Sequence, residues 1–448
     1  TPLGEMMMHL YGTQSIDENG QLTIGGTSAV TLANTYGTPL YVYDTALIKE
    51  RASAFMQTFE NAGVKAQVAY ASKAFSSIAM YQLAAKEGLS LDVVSGGELY
   101  TAIRADFPVE RIHFHGNNKS DEELLFALDS GIGCIVVDNF YEIEQLKRLT
   151  KYKKMNINIL LRVTPGIEAH THDYITTGQA DSKFGFDLNN GQADQAFQLV
   201  KDDSFIQLLG MHCHIGSQIF DTVAFSLAAK KLIAKMIAWK TQFHFICPVL
   251  NLGGGFGIRY TEEDKPLDPA VYVEDMMKSI QSEIGQLEYP MPEIWIEPGR
   301  SLVGDAGTTL YTIGSQKEVP GVRNYLAVDG GMSDNIRPAL YQAKYDAAVA
   351  NKMTAIANTS YTVAGKCCES RDKLIENISL PRVEAGDTLA VFCTGAYGYS
   401  MASNYNRLPR PAVVFVEQGQ HRMVIKRETY EDLIRLDCSL EEELGENS

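Results

Sequence analysis

QVAYASK (67–73), LSLDVV (89–94), RIHFHG (111–116), GCIVVD (133–138), NILLRVT (158–164), LLGMHCHIG (208–216), VLNLGGG (249–255) and EIWIEPG (293–299) are eight short, apolar, β-rich runs. They fall between about residues 65 and 300, and segments of helical spacing separate them. SSIAMYQLAAKEG (76–88) and SLAAKKLIAKMIAWK (226–240) each carry an apolar stripe at intervals of three and four, as a helix buried by one face requires. Strands alternating with helices imply a parallel sheet, because a parallel neighbour is reached only through a crossover. Eight such units predict an α/β fold with a closed (β/α)8 TIM barrel over residues 44–300.

The flanks read differently. TPLYVYD (38–44), RNYLAVDGG (323–331), DTLAVFCTGAYG (387–398) and RPAVVFVEQGQHRMVIKRE (410–428) are short alternating segments bounded by Gly and Pro. They predict a mostly antiparallel β domain built from both chain ends, residues 1–43 and 301–448. The last residues, EEELGENS, read as a loose acidic tail.

Composition limits the partners. At 448 residues the chain has room for two domains, and 45% hydrophobic against 21% charged residues gives ample material for a core. Acids outnumber bases 55 to 39, and a net charge of -16 disfavours nucleic acid or an anionic membrane as a main partner. The seven cysteines are odd in number and show no C-x-x-C spacing. Cys367 and Cys368 are adjacent, which suits neither a structural disulfide nor a zinc site, so a reducing, cytoplasmic setting is expected. No stretch approaches the roughly 20 apolar residues of a membrane span, and nothing in the opening TPLGEMMMHLYG marks the chain for export.

A barrel of this type places its active site at the C-terminal ends of the strands. Polar residues that finish the runs are therefore candidates: Lys73, Asp92, His115, Asp138, Arg162, His214, Gly253 to Gly255, and Glu297. An ammonium in a barrel mouth is costly unless used or paired, which singles out Lys73; a lysine snorkelling to solvent at the rim is the competing reading. Three successive glycines after a strand leave backbone N–H groups bare for an anion, although a plain tight turn reads the same way. They lack the spacing and lysine of an ATP-binding P-loop. His212 and His214, two apart, are not expected to chelate one ion, so no metal is expected and only His214 should face the site.

These residues carry a resemblance. YASKAF (70–75), HCHIGSQ (212–218), LNLGGGFG (250–257), EPGRSLVG (297–304), DGGMSDNIRPALY (329–341), CCES (367–370) and GAYGYSMASNYN (395–406), in this order, closely resemble the diaminopimelate decarboxylases. That family uses pyridoxal phosphate on an alanine-racemase-like barrel with a β domain. The resemblance implies that Lys73 holds the cofactor as a Schiff base, that His214 stacks on its ring, and that Ser217 with Gly253, Gly254 and Gly255 binds its phosphate. Glu297 would face the pyridine nitrogen, and Tyr397 would approach the phosphate and the substrate. Arg300, Arg337 and Tyr341 would hold the distal carboxylate of an amino-acid substrate. Cys368 and Glu369 would reach the neighbouring subunit's site in a homodimer with shared active sites.

The residue types suit that chemistry. A carboxylate at Glu297 stabilises a protonated pyridine ring, a strong sink for the electron pair left when CO2 departs; an arginine there would serve racemisation better. A structural salt bridge between Glu297 and Arg300 is the alternative use of that carboxylate. Arg337 and Tyr341 lie four apart and would share a helical face. Arginines at both 300 and 337 favour a substrate with a second carboxylate, meso-diaminopimelate, over the cationic ends of ornithine, arginine or carboxynorspermidine. Intact Lys73, Glu297 and Cys368 argue against a non-catalytic pyridoxal-phosphate-binding homologue. Whether Cys368 or Lys73 gives the final proton stays open.

Overall fold

The structure, a computed structural model, describes residues 8–167 and 182–441. Past Glu441 the expected acidic tail lies outside the described residues, as do the first seven residues of the opening segment. The chain divides into two compact units, Thr45–Ala306 and, separately, Thr1–Asp44 with Gly307–Ser448.

In the first unit each of the eight runs forms a strand: β1 (Ala66–Ala71), β2 (Ser90–Val93), β3 (Ile112–Phe114), β4 (Cys134–Val137), β5 (Ile157–Thr164), β6 (Ile206–His212), β7 (Val249–Asn251) and β8 (Glu293–Ile296). Each pairs in parallel with the next, and β8 pairs with β1, so the barrel closes. The strands are buried on both faces, which is why they read as continuous apolar runs rather than alternating ones. The helical stripes give Ile78–Lys86, capped by Ser77 accepting from the Met80 N–H at 3.0 Å, and Val223–Phe243, whose buried face includes Leu232, Met236 and Trp239.

Two strand ends differ from the sequence reading. β1 stops at Ala71 and Lys73 lies in the 3-10 turn Ser72–Ala74 that follows; β6 stops at His212, which leaves His214 in the loop beyond. The unit also continues past the expected boundary at residue 300. Arg51 on the helix Thr45–Asn61 grips Asp305 through two N–H groups, the shorter at 2.6 Å, and so ties the end of the unit to its first helix.

In the second unit Leu40–Asp44 lies between Gly307–Val319, antiparallel to it, and Ala412–Glu417, parallel to it. Arg323–Val328 and Thr359–Ala364 are also parallel. The sheet is therefore mixed. A hairpin must be antiparallel, but strands that return from distant parts of the chain escape that constraint.

One buried ion pair fixes the wall of the barrel. Lys119 Nζ donates to the carbonyls of Gly116 and Val136 at 2.8 and 2.9 Å and to Glu142 Oε1 at 3.0 Å, and both charged side chains are almost fully buried. Removing one partner from such a pair costs about 3–5 kcal/mol, because the remaining charge stays in a medium of low dielectric. Glu142→Gln is expected to lower stability by that amount, read as a lower denaturation midpoint; an unchanged midpoint would show that the pair contributes nothing.

Candidate active site

The turn after β1 is shaped by its own hydroxyls. Ser72 Oγ donates to the Asp92 carbonyl and Ser76 Oγ to the Ser72 carbonyl, both at 2.8 Å. This leaves Lys73 exposed between buried Ser72 and Ala74, and its ammonium makes no hydrogen bond or ion pair among the described residues. His214 is half-buried; burial, then the charges of Lys73 and Arg162, push it well below the ordinary histidine value. Its ring is neutral.

Glu297 follows β8 and is buried, with both oxygens engaged. His212 Nε2 lies 2.5 Å from Oε1, His115 Nε2 lies 2.6 Å from Oε2, and Asn251 Nδ2 reaches Oε2 at 3.3 Å. Burial works against its charge, but His115 and His212 outweigh it and hold the carboxyl well below the usual range. Burial and the neighbouring Glu297 push Asp92 well above that range, so of the two carboxyls Glu297 is ionised and Asp92 keeps its proton. Burial opposes charge on His115 too, yet the Glu297 carboxylate raises its pKa. Burial lowers His212 to about 4, so it donates to Glu297 as a neutral ring.

The expectation that only His214 of the histidine pair faces the site is therefore corrected. Residues two apart on a strand share a face, so the spacing gave no ground for separating the two; His212 ends β6 and bonds Glu297, and His214 lies in the loop beyond. The Nε2 atoms of His115 and His212 are each spent on a Glu297 oxygen. The alternative use of Glu297 is absent: Arg300, on the short helix Arg300–Val303, donates instead to Tyr260 Oη at 2.5 Å.

The glycine loop after β7 is wedged between its neighbours. A Cβ on Gly253 would lie 2.3 Å from the Cys213 carbonyl oxygen, one on Gly254 2.2 Å from that of Glu297, and one on Gly255 2.3 Å from that of Gly216. Gly253 (φ +71°) and Gly255 (φ +96°) also hold left-handed backbone, so no side chain fits. Gln218 clamps the adjoining loop, donating to the Ile258 carbonyl at 3.1 Å and accepting its N–H at 2.8 Å. Among the described residues the N–H groups of Gly216, Ser217, Gly254 and Gly255 donate to no protein acceptor.

Of the other strand-end candidates, Arg162 lies over the Phe184 ring at 4.4 Å and Asp138 Oδ1 accepts the Gly185 N–H at 3.1 Å, which gives both a local structural role. A cavity of about 420 Å³, lined by Lys65, Gln67, Ser90, Arg111 and Glu293 among others, opens at the opposite, N-terminal ends of the strands. There a barrel carries stability rather than chemistry.

The remaining residues belong to the second unit. Arg337 is buried and donates to Tyr345 Oη at 2.7 Å, whereas Tyr341, at the other end of the same short helix, is 60% exposed. Their spacing of four does not give them a common environment. Cys368 is exposed with a free thiol, and its N–H donates to Asn406 Oδ1 at 2.7 Å. Glu369 Oε2 accepts the Arg371 N–H at 2.6 Å. Tyr397 is half-buried at φ +60°, a strained conformation for a bulky residue. Sequence reasoning gave Asp92 and His115 no role and missed His212, His113 and Asn251 as partners; polar residues inside otherwise apolar strands were the available signal.

The pyridoxal-binding domain of the pyridoxal-dependent decarboxylases matches residues 45–304, the whole barrel. Fold and site thus define a decarboxylase whose cofactor is pyridoxal phosphate, and the residues fit both ends of that group. An ionised carboxylate suits a protonated ring nitrogen, uncommitted amides suit a phosphate, and Lys73 offers a free amine.

The chain is 66% identical to the diaminopimelate decarboxylase of Bacillus subtilis (strain 168), over 96% of this chain and 98% of that one, and 63% identical to that of Bacillus methanolicus, over 94% and 97%. A crystal structure of diaminopimelate decarboxylase from M. jannaschii in complex with L-lysine superimposes with a TM-score of 0.90 at 34% identity, covering 95% of this chain and 98% of that one. The chain belongs to the diaminopimelate decarboxylase family.

Because Lys73 is the uncommitted amine at this strand end, borohydride reduction of the yellow holoprotein is expected to fix the cofactor on Lys73. Peptide mapping that finds it on another lysine would overturn the assignment.

Proposed function

We propose that this protein removes the carboxylate from the D-configured centre of meso-2,6-diaminopimelate, giving L-lysine and CO2 as a cytoplasmic step of lysine biosynthesis. One proton is consumed at the carbon that loses CO2. The observation that carries the reading is the ionised Glu297 inside the barrel. When bound, pyridoxal phosphate supplies a carbonyl for the substrate amine and a ring that accepts the electron pair of the breaking bond.

The chain's own groups do the rest. Lys73 Nζ anchors the cofactor, and the amides of Gly254 and Gly255, with Ser217, Gly253 and Tyr397, hold its phosphate. Glu297 keeps the ring nitrogen protonated, while neutral His214 offers a flat face without adding charge. Arg300, Arg337 and Tyr341 receive the distal carboxylate, with Glu369 and Tyr397 completing the substrate pocket. Cys368 or Lys73 delivers the proton to carbon. Two arginines for one distal group favour a substrate ending in a carboxylate over ornithine, arginine or carboxynorspermidine, which end in cations.

Release of lysine from meso-diaminopimelate tests the reading directly, and equal turnover of ornithine would refute the substrate. Glu297→Gln should keep the cofactor but slow turnover about 100- to 1,000-fold, or about 3–4 kcal/mol of transition-state stabilisation. A near-wild-type rate with cofactor in place would remove the electron-sink role.

We further infer a twofold homodimer in which Cys368 and Glu369 serve the partner's site; exposed Cys368, far along the chain from Lys73, supports this. Lys73→Ala and Cys368→Ala dimers are each impaired. Unfolded and refolded together, random pairing makes about half the dimers mixed, each with one doubly defective and one intact site, so about a quarter of all sites recover. Mixed dimers without recovery would place Cys368 in its own subunit's site.

A further inference from the structure

The barrel interior holds more polar groups than this reaction needs. Asp92 from β2, His113 and His115 from β3 and its end, Arg162 from β5, His212 from β6 and Glu297 after β8 gather around one point with Asn251 from β7, and Cys134, Cys213 and His214 also feel the Glu297 charge. Both Glu297 oxygens are taken, by His212 at 2.5 Å and by His115 at 2.6 Å. Oε2 also accepts from Asn251 Nδ2 at 3.3 Å, so a cofactor ring nitrogen that engages this oxygen takes the place of His115 or Asn251.

A second acceptor stands ready. Asp92 Oδ1 is buried without a hydrogen-bond partner and lies 3.5 Å from His115 Nε2. On its other side His113 Nδ1, also buried and without a partner, lies 3.5 Å from the same oxygen. The far side of His113 fixes its tautomer. Its Nε2 is 2.9 Å from Gln67 Oε1, which also accepts from Ser90 Oγ at 2.6 Å and has no proton to give. His113 therefore carries its proton on Nε2 and turns a lone pair toward Asp92, which opposes charge on that oxygen and favours a protonated Asp92. The raised pKa of Asp92, from burial and then Glu297, agrees, as does that of His113, which burial lowers to about 4.

We propose that Asp92 is a positioning residue for the cofactor: once a ring nitrogen engages Glu297, Asp92 gives up its proton and becomes the new partner of His115. The inference rests on Glu297 facing the ring nitrogen. The Asp92 O–H bond breaks, and its proton passes to the ring nitrogen if that arrives unprotonated, or to water if it arrives protonated. Either way two opposite-charge pairs remain, Glu297 with the ring and Asp92 with His115, and no buried charge is left alone.

The test counts protons. Apoprotein of the full chain is titrated with pyridoxal phosphate by calorimetry in buffers of different ionisation heat, for the wild type, Asp92→Asn and Asp92→Ser. Each variant should release one proton fewer per site than the wild type, or take up one more, and bind the cofactor about tenfold more weakly. A merely structural aspartate would not move the proton count. Thermal unfolding of each apoprotein shows whether it is folded, and the serine variant serves if the asparagine one is not. Folded variants with the wild-type count and affinity within twofold overturn the role of Asp92 while leaving that of Glu297 intact. Wild-type protein that binds no cofactor, or whose reduced adduct is not on Lys73, overturns the reading of the site and this inference with it.

Discussion

A carboxylate cannot remain ionised in the middle of a barrel unless its charge is met, and the bonds from His115 and His212 to Glu297 meet it. Isolated burial of such a charge would cost far more than the whole protein's net stability, and the group would neutralise instead. The three side chains come from the ends of β3, β6 and β8, which only closure of the sheet brings to one axis. Closure is thus what makes a permanent negative charge possible at the strand ends. Asp92 shows the alternative outcome in the same surroundings: without a comparable donor it stays protonated.

Much of this was legible in the sequence because a parallel barrel strand is buried on both faces and leaves an unbroken apolar signature. The eight runs from QVAYASK to EIWIEPG each became a strand, and the polar residues that end them did collect at one end. The mixed pairing of the second unit was not legible, since Leu40–Asp44 meets Ala412–Glu417 across most of the chain and no local rule sets their direction. His212 was misplaced for a related reason. Residues two apart share a strand face, so spacing could not set His212 apart from His214, and the contact with Glu297 spans 85 positions. Arg337 shows the limit of spacing arguments in a five-residue helix: its partner is Tyr345, beyond the helix, and not Tyr341 within it.

The glycine loop has a consequence for how such a site can change. Gly253 contributes its N–H to Asn251 Oδ1 at 2.9 Å and its carbonyl to the Glu297 N–H at 2.8 Å, while Asn251 Nδ2 reaches the Glu297 carboxylate. The same backbone run, one and two residues on, presents the amides of Gly254 and Gly255 proposed for the phosphate. Gly254 is moreover packed so closely against the Glu297 carbonyl that a single added carbon would push the two apart. The proposed phosphate grip and the placement of the Glu297 carboxylate are therefore set by one short segment. A substitution here would move the Glu297 carboxylate along with the glycine amides, so under the proposed roles affinity for the cofactor and its electronic tuning would be mechanically coupled. The residues proposed for the distal carboxylate, Arg300 and Arg337, are held instead by tyrosine hydroxyls at 2.5 and 2.7 Å, so they could change without disturbing this backbone.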